Sequence, residues 1–400
     1  MKRMLKNLGV TLAALLVALA LCEIILWAMK IDNPQFWRPD PRLGMRLRAG
    51  VEGWQTREGR AYVRINSKGL RNEERALEKP RDVYRIAVLG DSSVESLQVD
   101  LKDTFPYLLG QKLSECRFQA GKRIEVINFG VAGFGTAQEY VLLETEAGAY
   151  RPDLVMLAFS YGSDLRNNSR VLETERMRPF FVLDAAGRLV LDESFSESDE
   201  FKRRTAPWRT LAWDIAGHSR LLRLLNFLRV SMEARAAGEG GAAAGLESGV
   251  DDAFLAPPKN QAWRDAWTIT EAIILKMDDL TSRIGGKLML VGLSMGIQVH
   301  PDPGFRAALE KKLGVGDLFY PDTRLAEFAR KHDIRALMPA AEMQRFAETH
   351  RAFLHGFKNA NLGSGHWNEA GHRLAAEIIS RDLCANPPWV KPALQPAPRG

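Results

Sequence analysis

Three short stretches of this chain combine residue types that can carry acyl-transfer chemistry. The first is Gly90-Asp91-Ser92, directly after the apolar run Arg85-Ile86-Ala87-Val88-Leu89. Open α/β sheets bind ligands beyond the C-terminal ends of their strands. A serine there can act as a nucleophile, and the amides that follow it can donate to a developing oxyanion. The second is Asn128-Phe129-Gly130-Val131-Ala132-Gly133-Phe134-Gly135-Thr136, whose three glycines mark backbone that approaches something closely or takes positive φ. The third is Leu362-Gly363-Ser364-Gly365-His366-Trp367-Asn368-Glu369-Ala370-Gly371-His372. His366 stands in a glycine-flanked loop ahead of a helix, where an imidazole can take a proton from a serine hydroxyl. Each stretch also has a plain structural reading. A Gly-Asp-Ser turn is common by chance, and the glycine run is ordinary for a strand-to-helix turn. A dinucleotide loop is discounted, because that loop belongs after the first strand of its fold. His372 lies inside the helix and reads as structural. His355, His366 and His372 fit no metal-ligand spacing, so neither a metal nor a cofactor is expected.

The surrounding pattern supplies the elements that would position these residues. Apolar strand-like runs recur at Arg85–Leu89, Ile124–Asn128, Leu154–Phe159, Leu288–Val291 and Ile334–Leu337. Helical segments separate them, over Thr104–Cys116, Thr136–Ala149, Trp263–Ile284 and Arg324–Lys331, and a last helix covers Asn368–Cys384. Continuous apolar strands alternating with helices imply a parallel sheet covered on both faces. The expected fold class is therefore α/β, doubly wound, with about five parallel strands. Residues 81–164 and 260–386 form this domain, and residues 165–259 interrupt it as an insertion. The insertion contains a hairpin-like piece (Phe180–Leu183 and Leu189–Leu191), a basic apolar helical stretch from Trp208 to Ala237, and a Gly- and Ala-rich loop over 237–249. Residues 31–80 contain short β-like pieces such as Ala61–Ile65, a small sheet that could pack on the main domain; residues 387–400 are a Pro-rich tail.

The 400 residues carry a formal charge of +6, are 46% hydrophobic, and afford a sizeable core. The basic residues are dispersed, and no nucleic-acid signature accompanies them, so no nucleic-acid partner is expected. Lys2, Arg3 and Lys6 precede a stretch from Asn7 to Met29 whose only charge is Glu23. As a helix it would be about 34 Å long, enough to cross a hydrocarbon core of about 30 Å. The basic flank favours a cytoplasmic N-terminus, with everything after Lys30 beyond the inner membrane. Residues 1–30 are thus read as an uncleaved anchor, with a cleaved signal peptide as the competing reading. Cys22 sits in Leu-Ala-Leu-Cys, only a loose match to a lipoprotein site. Cys116 and Cys384 would then lie in an oxidising compartment, as one disulfide or as two buried thiols.

Taken together, the three chemical stretches resemble the SGNH (GDSL-type) hydrolase family, in the family's order and at the ends of matching strands. The resemblance covers roughly residues 84–384 apart from the insertion. Gly365-His366-Trp367-Asn368-x-x-Gly371-His372, and upstream Asn66-Ser67-Lys68-Gly69-Leu70-Arg71, are similar to a membrane-anchored bacterial branch of that family. The resemblance implies a flavodoxin-like sheet, Ser92 as nucleophile and first oxyanion donor, Gly133 as second donor and His366 as base. The chain departs from the family in two ways. Ser163, in Tyr161-Gly162-Ser163-Asp164, stands where the third oxyanion donor is usually an Asn, with Asn167 and Asn168 nearby as substitutes. The usual Asp three residues before the histidine is Gly363, so the group orienting His366 is left open between a backbone carbonyl, Ser364 and an acid from elsewhere. The fold would also place the helices bearing Cys116 and Cys384 on one sheet face, making their bridge plausible. The implied activity is ester hydrolysis, or acyl transfer to a hydroxyl, on cell-envelope glycans or lipids; a non-catalytic envelope protein is the alternative. Trp208, Trp213 and the leucine-rich helix of the insertion either cap the substrate or pack the insertion on the core.

Overall fold

The computed structural model describes residues 2–236 and 252–387. The expected Gly- and Ala-rich loop, and all but the first residue of the expected tail, lie outside the described residues. α1 (Lys2–Ala28) is one helix, long and apolar enough to cross a membrane, and its most apolar stretch is covered by no other part of the chain.

Two antiparallel hairpins follow, β1 (Trp37–Asp40) with β2 (Gly44–Leu47) and β3 (Glu52–Gln55) with β4 (Ala61–Arg64). β4 alternates buried and exposed residues, the pattern of a strand with one face on a core. Ala61 and Val63 join Phe36, Leu47, Ile65 and Leu97 in a small cluster, which ties this segment to the main domain.

The main domain contains β5 (Val83–Leu89), α2 (Ser92–Glu95), α3 (Phe105–Glu115), β6 (Arg123–Asn128), α4 (Thr136–Thr145), β7 (Leu154–Phe159) and α5 (Tyr161–Asn167). The insertion adds β8 (Phe180–Leu183), β9 (Leu189–Asp192), α6 (Asp199–Arg204), α7 (Pro207–Gly217) and α8 (Arg220–Ala236). The domain resumes with α9 (Gln261–Arg283), β10 (Lys287–Gly292), α10 (Pro303–Leu313), α11 (Tyr320–Lys331), β11 (Arg335–Leu337), α12 (Ala340–His350) and α13 (Glu369–Ala385).

Five strands pair in the order β11-β10-β7-β5-β6, all parallel. Counted within the sheet this is 2-1-3-4-5, the flavodoxin-like doubly wound order, whose ligand crevice opens where the winding reverses, here between β5 and β7. All seven residues of β5 are buried. Ala87 and Leu89 join the core under α4 and α9; Tyr84, Ile86 and Val88 join the core under α3 and α13. An interior strand covered on both faces has this composition. Cys116 and Cys384, just past α3 and within α13, form a disulfide with a Cα–Cα separation of 6.3 Å.

The fold class is as the sequence predicts, but three details differ. α10 and α12 were not foreseen; α10 starts from the Asp302 cap and Pro303. α4 stops at Thr145, and a short 3₁₀ turn over Ala147–Tyr150 replaces its expected end. The long basic stretch is two helices, because Glu23 of α1 receives the N–H groups of Arg220 and Leu221 and caps a fresh helix start there. That carboxylate is about two hundred residues away, beyond any local signal.

Candidate active site

Ser92 is the first residue of α2, where β5 ends. Asp91 caps this helix: its Oδ1 accepts from the Ser93 N–H at 2.9 Å. Its Oδ2 accepts from the Ser163 hydroxyl at 2.6 Å. At the first position of the helix, the Ser92 N–H has no intrahelical acceptor and stays available to a ligand.

His366 reaches Ser92 from the far end of the chain. Its Nε2 lies 2.8 Å from Ser92 Oγ. Its Nδ1 lies 2.5 Å from Glu58 Oε2, and its main-chain N–H donates to Glu58 Oε1 at 2.9 Å. The acid that sequence reasoning left open is therefore Glu58, at the tip of the β3–β4 hairpin. Ser364 and a backbone carbonyl are not the orienting groups. Burial, the largest single influence on the Glu58 carboxyl, pushes its pKa up; hydrogen bonds and charge from His366 outweigh it and hold the group below its ordinary value. A charged Glu58 accepts the Nδ1 proton, and the lone pair of Nε2 then faces the serine.

The hairpin tip is fastened in place. Asn359 accepts from the Gly59 N–H at 3.0 Å and donates to the carbonyls of Gly59 (2.8 Å) and Thr56 (3.1 Å). Gly365, at φ 82°, has no side chain because a Cβ there would stand 2.4 Å from Glu58 Oε1. The flanking glycine of the histidine loop thus makes room for the acid.

A buried polar chain fixes the other side of the loop. Trp367 Nε1 donates to Ser294 Oγ at 2.9 Å, and Ser294 Oγ lies 3.1 Å from His355 Nε2. His355 Nδ1 lies 2.7 Å from the Gly365 carbonyl. His355 donates to that carbonyl and accepts from Ser294, so it is a neutral ring that holds the loop. His372 is also internal, accepting from the Phe105 N–H at 3.3 Å, in keeping with its structural reading.

Burial pushes the pKa of His355 down to about 4 and that of His372 down to about 3. Unfolded, both titrate near 6.5. Between these limits the unfolded chain binds more protons, so stability falls as pH drops from about 6.5 toward about 4. His355 alone should contribute on the order of 3 kcal/mol of this change. Denaturant titrations should show a declining midpoint over that range, and His355→Gln should make the decline shallower, leaving the share of His372. An unchanged midpoint would contradict neutral burial of the two rings.

The remaining expected residues are placed differently. Ser92, Ser163 and His366 line one cavity of about 400 Å³, with Glu58, Asp91, Ser93, Ser160, Ser294, Asn361 and Ser364 among its other walls. Ser163, expected as an oxyanion donor, lies in the cavity wall and here offers its proton to the Asp91 carboxylate. Asn167 and Asn168 do not substitute for it. Asn167 donates to the carbonyls of Gly133 and Phe134, both at 3.1 Å, and Asn168 accepts from the Ala137 N–H at 2.9 Å. Both brace the loop that carries Gly133. Gly133 itself, at φ 76°, is not among the cavity walls. Beneath the site, Glu139 and Asp164 are wholly buried. Burial first, and then neighbouring carboxylates, pushes both well above the usual carboxylate range. Among the described residues no cluster of His, Cys, Asp and Glu could hold a metal ion.

No family model and no curated protein matches the chain. Solved structures do overlap it. The acetyl xylan esterase AlAXEase is 11% identical with a TM-score of 0.36, over 75% of this chain and 99% of that one. A catalytic mutant of an acetylxylan esterase from Geobacillus stearothermophilus is 11% identical with a TM-score of 0.36, over 75% of this chain and 94% of that one. A GDSL-like lipase from Bacteroides thetaiotaomicron is 10% identical with a TM-score of 0.30, over 75% and 87%. The chemical reading rests on the side chains themselves.

Proposed function

We propose that the chain is a serine ester hydrolase working through an acyl-serine, with Ser92, His366 and Glu58 as its triad. The observation that carries this is the unbroken relay from Glu58 Oε2 to His366 Nδ1 (2.5 Å) and from His366 Nε2 to Ser92 Oγ (2.8 Å). His366 Nε2 takes the Ser92 proton as Oγ attacks the ester carbonyl. Glu58 stabilises the imidazolium that forms. The oxyanion is met by the Ser92 N–H at the start of α2. Collapse releases the alcohol, protonated by His366, and water activated by the same imidazole frees the acid. An acceptor hydroxyl in place of water would make the reaction acyl transfer. The intact triad speaks against a purely binding role.

The cavity favours a short acyl group on a polar substrate. Its walls carry six serines and Asn361, with Tyr161, Leu293, Met295 and Ala360 as apolar members, and its volume of about 400 Å³ suits a small acyl group. An O-acylated glycan suits that lining better than a long-chain lipid. Chromogenic esters test this: acetyl should exceed octanoyl in kcat/KM by about tenfold or more. A preference for the longer chain would contradict the assignment.

We also place the domain on the extracytoplasmic side of an inner membrane spanned by α1. Basic residues ahead of the span and the Cys116–Cys384 disulfide both support this.

A further inference from the structure

The insertion leaves an apolar surface unusually open. Every residue of α7 from Pro207 to Ile215 is exposed. Trp208 is 66% exposed, Leu211 62% and Ile215 59%; on α8, Leu225 is 52% and Met232 63% exposed. Leu222, Leu225, Arg229 and Met232 recur at helical spacing on one outward stripe of α8. A contiguous exposed apolar patch of this kind marks an interaction surface. It also answers one expectation from the sequence: Trp208 and Trp213 do not line the cavity.

The position of the patch identifies what covers it. Glu23 of α1 accepts from the Ser219 hydroxyl and from the N–H groups of Arg220 (2.9 Å) and Leu221 (3.1 Å). Asp32, just past the helix, pairs with Arg223 (2.9 Å) and Arg220 (3.5 Å). The start of α8 is therefore tied to the outer end of α1. Glu23 stands five residues before Ala28, a depth of about 7 Å along the helix. Helices lying in a membrane surface bury their apolar face about 5–10 Å into the headgroup boundary. Residues 199–236 also carry eight Arg and Lys against four Asp and Glu, and tryptophan is the side chain that settles at headgroup level.

We propose that α7 and α8 lie in the outer headgroup layer of the bilayer that α1 crosses, as an amphipathic pair that sets the domain on the membrane surface. This rests on the anchor assignment of α1. Other contacts join the pair to the enzyme: Arg48 pairs with Asp214 at 3.0 Å, and the Arg57 guanidinium lies 4.7 Å from the centre of the Phe227 ring. Arg57 precedes Glu58, so the membrane-lying pair rests against the hairpin that delivers the acid.

The test uses the full chain in nanodiscs of phosphatidylcholine and phosphatidylglycerol, with one environment-sensitive thiol label per sample. Native Cys22 reports α1. In a Cys22→Ser background, Leu211→Cys and Leu225→Cys report the pair, and Val171→Cys, on neither helix and well exposed, reports water. Circular dichroism confirms that each labelled chain is folded. The labels at 211 and 225 should emit to the blue of the label at 171, be quenched severalfold less by iodide, and be quenched by spin-labelled lipid. If 211 and 225 respond to iodide as 171 does while Cys22 is shielded, the proposal falls and the anchor stands. Shielding from iodide without quenching by lipid would mean that protein covers the patch, which also overturns it. Iodide access to Cys22 would overturn the anchor and the proposal together.

Discussion

Ser92→Ala is expected to lower kcat/KM for an acetyl ester by on the order of 10⁴-fold or more, with the unfolding midpoint unchanged. The serine is half-buried at a helix start, and among the described residues its hydroxyl pairs with His366 Nε2 at 2.8 Å. Removing the oxygen opens no cavity in the core and removes no cap, since Asp91 provides that. It does remove the atom that forms the covalent bond. Members of a triad act as a unit, so the loss is close to the loss of the whole relay, and the activity left comes from binding and oxyanion contacts. A variant retaining a tenth of the wild-type rate would show that the reaction proceeds elsewhere.

The second large effect is expected at Glu58. Glu58→Gln should reduce kcat/KM by on the order of 10³–10⁴-fold. The carboxylate accepts two donors from His366, the Nδ1–H at 2.5 Å and the main-chain N–H at 2.9 Å. A glutamine oxygen can keep the main-chain contact. Its amide then points N–H groups at Nδ1, which favours the ring with its proton on Nε2, and that ring cannot accept from Ser92. Binding should be little affected, so the loss should fall on kcat rather than KM. Glu58→Asp keeps the charge on a shorter arm and should fall between the two. Equal activity in the glutamine variant would remove Glu58 from the relay and leave a Ser–His dyad.

Ser92 and His366 were legible because each lies in a distinctive local context, a strand end in one case and a glycine-flanked loop before a helix in the other. The sheet was legible for a similar reason: strands buried on both faces, such as Val83–Leu89 and Leu154–Phe159, are continuous apolar runs. Glu58 was not legible, although it touches His366. It is 308 positions away, in a turn whose sequence, Arg57-Glu58-Gly59-Arg60, resembles any solvated hairpin tip. Its placement depends on Asn359 gripping that tip and on Gly365 leaving space, and both contacts exist only in the folded chain. A hint lay in Ala61–Ile65, whose alternation predicted a strand that could dock on the main domain. The partner of Ser163 was not legible for a different reason. Its position beside the nucleophile was readable, but the direction of a hydroxyl proton is set by the best nearby acceptor, and Asp91 belongs to another strand end.

Glu58 also gives the segment between anchor and sheet a chemical purpose. Residues 31–80 read in the sequence as a small sheet that could pack on the main domain, and in the structure their second hairpin carries Glu58 to His366. Their first hairpin is fixed to the nucleophile's helix, since Trp37 Nε1 donates to the buried Glu95 at 2.8 Å. Burial raises the pKa of Glu95 to about 7 despite that bond. A domain truncated at residue 80 would keep Ser92 and His366 and lose the group that orients the histidine.

The most direct measurement of the central claim is covalent capture by a fluorophosphonate, mapped by peptide mass spectrometry on the full-length protein. The account predicts one adduct, on Ser92, which forms rapidly in the wild type, far more slowly in Glu58→Gln, and not at all in Ser92→Ala. A folded wild-type protein that takes no adduct, or takes it on another serine of the cavity such as Ser93 or Ser163, would contradict it.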